Sequence, residues 1–213
     1  MPGEHTFDVV ASDDIYAGSV FGIRSDRVVM PDGHTATREV VEHHGAVAVC
    51  ALDSANGVTL VHQYRHPVGR RLWELPAGLL DHPDESAQDA AARELAEETG
   101  LAAGRWETLV DTASSPGFTD EVVRVFLARE LTEVIRDTPA GEEADLVIRT
   151  VPLAAAVRAA LSGELRNGPA VAGVLAAHAV VSGDTALAGA SLPRPADAEW
   201  RDRPTAFTER LRQ

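Results

Sequence analysis

Ser86-Ala87-Gln88-Asp89-Ala90-Ala91-Ala92-Arg93-Glu94-Leu95-Ala96-Glu97-Glu98-Thr99-Gly100-Leu101, preceded by Pro76-Ala77-Gly78-Leu79-Leu80-Asp81-His82-Pro83-Asp84-Glu85, is the stretch around which this chain of 213 residues is read. Its second half predicts one helix: Ser86 suits the N-cap, the interior is rich in Ala and free of Gly and Pro, and Gly100 stands where a left-handed C-terminal cap belongs. At about 100° per residue, Glu94, Glu97 and Glu98 share one face, while Ala92, Leu95, Ala96 and Thr99 fall on the other.

Like charges at i, i+3 and i+4 weaken a helix by a few tenths of a kcal/mol each, so helix stability does not account for the acidic face. A hard divalent cation such as Mg²⁺ or Mn²⁺ does, because it takes oxygen ligands and cancels their repulsion. Arg93 lies one turn before Glu97 and eight residues after Glu85, and its planar fork can brace both carboxylates. A solvated acidic face is the simpler reading of a lone E-x-x-E-E. The Ala-Gly turn, the upstream Glu85 and the bracing Arg93 together favour a metal site.

These residues resemble the Nudix box, G-x5-E-x7-R-E-U-x-E-E-x-G-U with U apolar. Six residues separate Gly78 from Glu85, one more than the pattern, and the run from Arg93 to Leu101 matches throughout. The motif covers about an eighth of the chain. The resemblance implies a mixed-sheet α/β/α sandwich and hydrolysis of a nucleoside-diphosphate-linked compound with Mg²⁺ or Mn²⁺. It implies Glu94 and Glu98 as direct metal ligands, Glu97 close by, and the Ala77 carbonyl completing the shell.

Composition excludes several other classes. The formal charge of −14 argues against sequence-independent nucleic-acid binding. All 19 basic residues are Arg, so a P-loop lysine and Schiff-base chemistry are ruled out. The single cysteine, Cys50, falls in the apolar run from Ala46 to Leu52 and reads as a buried, inert thiol. No apolar stretch approaches membrane-spanning length, and the polar, acidic N-terminus carries no export signal, so the expected location is cytoplasmic.

Upstream of the box, β-rich runs from Thr6 to Ala11, Val20 to Met30 and Thr35 to Glu42 predict a small antiparallel arm over residues 1–43. It holds too few apolar positions for its own core. The runs from Ala46 to Leu52 and Val58 to Gln63 read as a buried hairpin. Tyr64 to Arg71 carries three arginines, and a short strand from Leu72 to Leu75 then delivers the box turn. Arg65, Arg71 and Glu74 are therefore candidates for substrate binding, Arg65 first because it closes a strand.

Downstream, strands are expected from Trp106 to Ala113, Val122 to Ala128 and Leu146 to Val151, with helices over Pro152 to Leu161 and Pro169 to Val181. His178, among apolar neighbours, reads as a core or interface residue. Residues 44–183 form the expected catalytic domain and 184–213 an extended or disordered tail. The loop between the first two of these strands, Ser114 to Glu121, exposes Pro116 and the ring of Phe118, apt for stacking on a base or for packing. A proline at this spacing resembles the ADP-ribose pyrophosphatase branch of the family. That likeness implies ADP-ribose as substrate, AMP and ribose 5-phosphate as products, and a loop glutamate, Glu143 or Glu142, as the base that activates water. It also implies a homodimer with exchanged N-terminal arms. Other expectations are a different substrate, such as a nucleoside-diphosphate sugar, a dinucleotide or an oxidised nucleoside diphosphate, or a sensor that binds without cleaving. The intact box disfavours the sensor.

Overall fold

The structure is a computed structural model that describes residues 3–82, 84–136, 144–183, 192–200 and 207. The described residues divide into two units. One takes those within Met1–Gly45 and Ala113–Val122 together with Phe207; the other takes those within Ala46–Thr112 and Val123–Arg201. Among them no helix is long and apolar enough to cross a membrane.

The smaller unit is an antiparallel meander of β1 (Val9–Ala17), β2 (Phe21–Val29) and β3 (Thr35–His43) with β2 central. The first strand lies further along than the run from Thr6 to Ala11. It takes in Ser12, Asp13 and Asp14, which lie beyond that run, because pairing with β2 overrides local propensity. The Ser12 hydroxyl donates to Asp26 at 2.7 Å, and Arg24 bridges Asp26 and the buried Glu42 at 2.9 and 2.5 Å. This polar network holds together strands with few apolar residues to bury.

The larger unit holds two sheets. The first orders β10 (Val147–Pro152), β5 (Gly57–Arg65) and β6 (Arg70–Glu74), and is antiparallel. The second orders β11 (Arg194–Pro195), β8 (Leu101–Ala113), β9 (Val122–Glu133), β4 (Ala46–Ala51) and β7 (Ala77–Leu79), with β4 parallel to β9 and antiparallel to β7. The buried hairpin expected from the runs at Ala46 and Val58 does not form. The two strands enter different sheets and share one bridge, Leu52 to Val58. All six residues of β4 are buried, and such a strand needs neighbours on both edges, which β7 and β9 provide.

Alternation along β4 and β9 builds the layers. Ala46, Ala48, Cys50, Val125 and Leu127 face a core shared with α2 (Leu153–Ser162) and α3 (Gly168–Ser182). Val47, Val49, Ala51, Phe126 and Ala128 face the opposite core, with α1 (Ala87–Thr99) supplying Ala90, Ala91 and Leu95. Helices on both faces of a mixed sheet are the sandwich that the box implied. Burial pushes the Cys50 thiol up to about 12, in keeping with an inert group. His178 is exposed and so is not a core residue; it shares a stripe with Leu175 and Ser182, while Ala170, Val174 and Ala177 face inward. Residues 192–200 pack on this unit, where Arg194–Pro195 pairs with β8.

Candidate functional site

The box helix begins and ends as its caps dictate. The Ser86 hydroxyl accepts from Asp89 N–H at 3.1 Å, and Gly100, at φ 71°, donates to the Ala96 carbonyl. The buried side of α1 comprises Ala90, Ala91, Leu95 and Glu98, whereas Ala92, Ala96 and Thr99 are only half-buried. This corrects the expected apolar face. Glu98 follows Leu95 by three residues and sits at the margin of the packed stripe, while Glu97 turns outward.

That inward turn brings Glu98 to the box loop. Its Oε2 accepts from Ala77 N–H at 3.1 Å. The turn before the helix approaches closely enough that a Cβ on Gly78 would lie 1.9 Å from the Glu94 carboxylate carbon. Only glycine leaves room for that carboxylate, which gives the motif's first residue a physical reason.

Arg93 organises the remaining acids. Its Nε and Nη2 donate to the two Glu85 oxygens at 3.0 Å each, and Nη1 donates to Glu94 at 2.7 Å and Glu97 at 3.2 Å. These bonds, from Arg93 first, hold the Glu85 carboxyl below the usual range, and the Glu85 carboxylate in turn raises the Arg93 guanidinium. Three carboxylates, Glu85, Glu94 and Glu97, thus gather around one guanidinium, and a fourth, Glu98, is held on the Ala77 amide. No three His, Cys, Asp or Glu side chains among the described residues stand converged as a finished metal cage. The donor set nonetheless suits a hard divalent ion: all oxygen, two carboxylates one turn apart, a nearby backbone carbonyl and a large excess of negative charge.

The other expected site residues fall in three places. Arg65 and Glu74 pair with each other, Nε to Oε1 at 3.0 Å and Nη2 to Oε2 at 2.8 Å, with Glu74 fully buried and Arg65 half-buried. Glu74 therefore aims the arginine, a role that spacing alone did not reveal. Arg71 is tied to the carboxylate and carbonyl of Asp145, a partner distant in sequence. Pro116 and Phe118 belong to the unit of the N-terminal strands, where the Phe118 carbonyl accepts from Val41 N–H at 2.8 Å and its ring is exposed. There Phe118 lines a cavity of about 280 Å³ with Val20, Phe21, Val41 and His43. Asp120 accepts from His43 N–H at 2.9 Å, and burial raises its carboxyl. Glu142 and Glu143 lie outside the described residues.

The chain is similar along most of its length to known proteins. The NUDIX domain model matches residues 42–172. The chain is 52% identical over 207 residues to the ADP-ribose pyrophosphatase of Mycobacterium tuberculosis (strain ATCC 25618 / H37Rv), covering 97% of each. It is 36% identical over 156 residues to the ADP-ribose pyrophosphatase of Bacillus subtilis (strain 168), covering 73% of this chain and 84% of that protein. A crystal structure of an ADP compounds hydrolase superposes with a TM-score of 0.72 at 18% identity, over 84% of this chain and 96% of that one, and shows the fold.

Proposed function

The chain belongs to the Nudix hydrolase family, and from that premise we propose that it hydrolyses the diphosphate bond of ADP-ribose to AMP and ribose 5-phosphate. Likeness along nearly the whole chain to an ADP-ribose pyrophosphatase supports the substrate. The observation that carries the chemistry is the closure of the box, with Glu94 over Gly78 and Glu98 on the Ala77 amide.

The family is typically dependent on divalent metal; we propose Mg²⁺, with Mn²⁺ as a substitute, held by Glu94, Glu98, Glu97 and the Ala77 carbonyl. Bound there, the ion supplies positive charge against the diphosphate and acidity to the attacking water. The chain's residues do the rest. Glu98, fixed by the Ala77 amide, and Glu94, held by Arg93 in the space that Gly78 leaves, are pre-set in position, so little ordering remains when substrate arrives. Arg93 neutralises part of the acidic excess and keeps the helix intact between turnovers. Arg65, aimed by Glu74, presents a planar fork suited to phosphate oxygens, with Arg71 and Glu74 as further substrate-site residues. Pro116 and Phe118, in the unit of the N-terminal strands, are also proposed as substrate-binding residues. Glu143, or its neighbour Glu142, takes the proton as water adds to phosphorus and the bridging P–O bond breaks.

Turnover of ADP-ribose in ¹⁸O water tests this reading. Labelled AMP or labelled ribose 5-phosphate is the expected product, the label marking which phosphorus is attacked; release of ADP and free ribose overturns it. A homodimer through the N-terminal arm completes the proposal, supported by the exposed Val9, Val10, Ile15 and Tyr16 of β1. Light scattering after size exclusion should give twice the chain mass, and a monomer at working concentration would remove that part.

A further inference from the structure

The box carries part of its acidic set at the weak end of its helix. Glu97 and Glu98 stand in the last turn of α1, and a terminal turn frays first because its carbonyls have no partners further along the helix. That turn also holds no basic residue of its own to meet the negative end of the helix dipole. Metal ligands must keep their spacing, and partners behind them supply that constraint. The turn therefore needs a hold from outside the helix.

The chain just past β9 provides one. Val134 N–H donates to the Gly100 carbonyl at 2.9 Å, and Arg136 Nε donates to the Glu97 carbonyl at 2.7 Å. The approach is close: a Cβ on Gly100 would lie 3.4 Å from both the Arg136 Cβ and the Val134 carbonyl oxygen. The glycine that ends the box thus admits this clamp as well as the left-handed turn. Glu97 is gripped twice, its carboxylate by Arg93 Nη1 at 3.2 Å and its backbone by Arg136. Among the described residues no acidic side chain pairs with Arg136, and its Nη2 is buried without a hydrogen-bond partner. Its side chain is committed to the box helix through Nε, not to an ion cluster.

We infer that Arg136 is a positioning residue for the metal site, locking the last turn of α1 through the Glu97 carbonyl so that Glu97 and Glu98 keep the spacing a divalent ion requires. The inference rests on the proposed metal site at the box. Charge and geometry predict opposite signs for its removal. Deleting a cation beside an acidic cluster should tighten metal binding, whereas loosening the turn should weaken it.

Mn²⁺ alone is the probe, its binding to the full-length protein read from the EPR signal of the free ion, without substrate. Arg136→Met removes the charge and places a methyl group where Nε stands. Arg136→Gln also removes the charge, but its amide nitrogen stands as many bonds from the backbone as Nε and can donate to the same carbonyl. Arg136→Met should raise the Mn²⁺ dissociation constant about tenfold or more, as loss of a ligand-orienting partner does, while Arg136→Gln stays within about threefold of wild type. With ADP-ribose, Arg136→Met should need about tenfold more Mg²⁺ for half-maximal rate, yet reach a kcat within about threefold of wild type at saturating metal. Unchanged or tighter Mn²⁺ binding to Arg136→Met, whatever its melting temperature, would make Arg136 a stabilising residue only and overturn the inference. Equal weakening by Arg136→Gln would overturn it too. Should Arg136→Met fail to fold, Arg136→Lys, which keeps the charge and puts a methylene where Nε stands, should show the same weakening; wild-type affinity there would overturn the inference. Failure of the metal site itself reads differently and removes both proposals: wild type would bind no Mn²⁺, or Glu94→Gln would bind it as tightly as wild type.

Discussion

Arg93 and Arg124 are each the hub of an ion cluster in the same unit, and they are balanced in opposite ways. Arg124 is buried; its Nε and Nη2 grip the two Asp111 oxygens at 2.7 and 3.0 Å, and its remaining donors reach the Ala198 and Glu199 carbonyls at 2.5 and 3.2 Å. The Trp200 ring lies over the guanidinium, 4.3 Å to its centroid, and Arg194 adds a second cation on Asp111 at 2.8 Å. Two arginines share one carboxylate, and carbonyl oxygens take the surplus donors. Around Arg93 the proportion is reversed, with one guanidinium between Glu85, Glu94 and Glu97 and with Glu98 close behind. A cluster that serves packing is closed and satisfied. One that serves a cation keeps an unneutralised excess and tolerates the repulsion it brings.

The largest effect expected from this contrast is on turnover. Glu94→Gln or Glu98→Gln should lower metal-saturated kcat by about a thousandfold, the equivalent of several kcal/mol of lost charge stabilisation. The same changes should leave the melting temperature level or slightly raised, since each relieves like-charge repulsion on α1. Steady-state kinetics beside thermal melts read both, and retained turnover would remove the functional meaning of the excess. Next in size is Arg124→Met. Removing one partner of a buried pair costs about 3–5 kcal/mol, here at the low end because Arg194 stays with Asp111. Urea denaturation should show that loss while the folded variant keeps its kcat.

Arg93→Lys ranks third. It keeps the charge but loses the fork that spans Glu85, Glu94 and Glu97. Ligand-orienting groups of this kind are worth about 10–100-fold in activity. Stability should move by less than about 1 kcal/mol, because these pairs are partly exposed. A variant that lost stability and kept activity would make Arg93 a packing residue like Arg124, and the contrast would fail.

The two clusters were unequally legible in the sequence. The box helix could be read because Ser86, the alanine-rich interior and Gly100 agree with one another, and because acids at i, i+3 and i+4 have no local justification. The inward turn of Glu98 was hidden, since a helical projection groups it with Glu94 and Glu97. Its three-residue spacing from Leu95 was the available signal. The Arg124 cluster left no trace, because Asp111, Arg124 and Arg194 meet only through the pairing of β8 with β9 and β11. For the same reason the run from Ala46 to Leu52 announced a buried strand but was paired with the wrong neighbour, the run from Val58, in place of β7 and β9, and Glu74 could be placed near Arg65 but not as the residue that holds it.

Acid titration separates the clusters by the smallest effect. Burial alone would raise the Asp111 carboxyl, but hydrogen bonds from Arg124 and Arg194 outweigh it and bring it below its ordinary value. A carboxylate depressed in the folded state contributes stability that is complete above the unfolded value of about 3.9 and fades as pH falls through the lower folded value. Asp111→Asn does not titrate, so the stability gap between wild type and variant should hold constant from about pH 5 upward and shrink below about pH 4. Glu85 is depressed chiefly by its hydrogen bonds from Arg93, and Glu85→Gln should show the same sign. Salt distinguishes them, because the Arg93 pairs stand nearer to solvent than the buried Arg124. At about 1 M salt the screening length falls to about 3 Å, so the pH-dependent gap for Glu85→Gln should fade while that for Asp111→Asn persists. Equal salt sensitivity in the two acid titrations would mean that both clusters are equally open to solvent and that charge balance, not burial, is all that divides them.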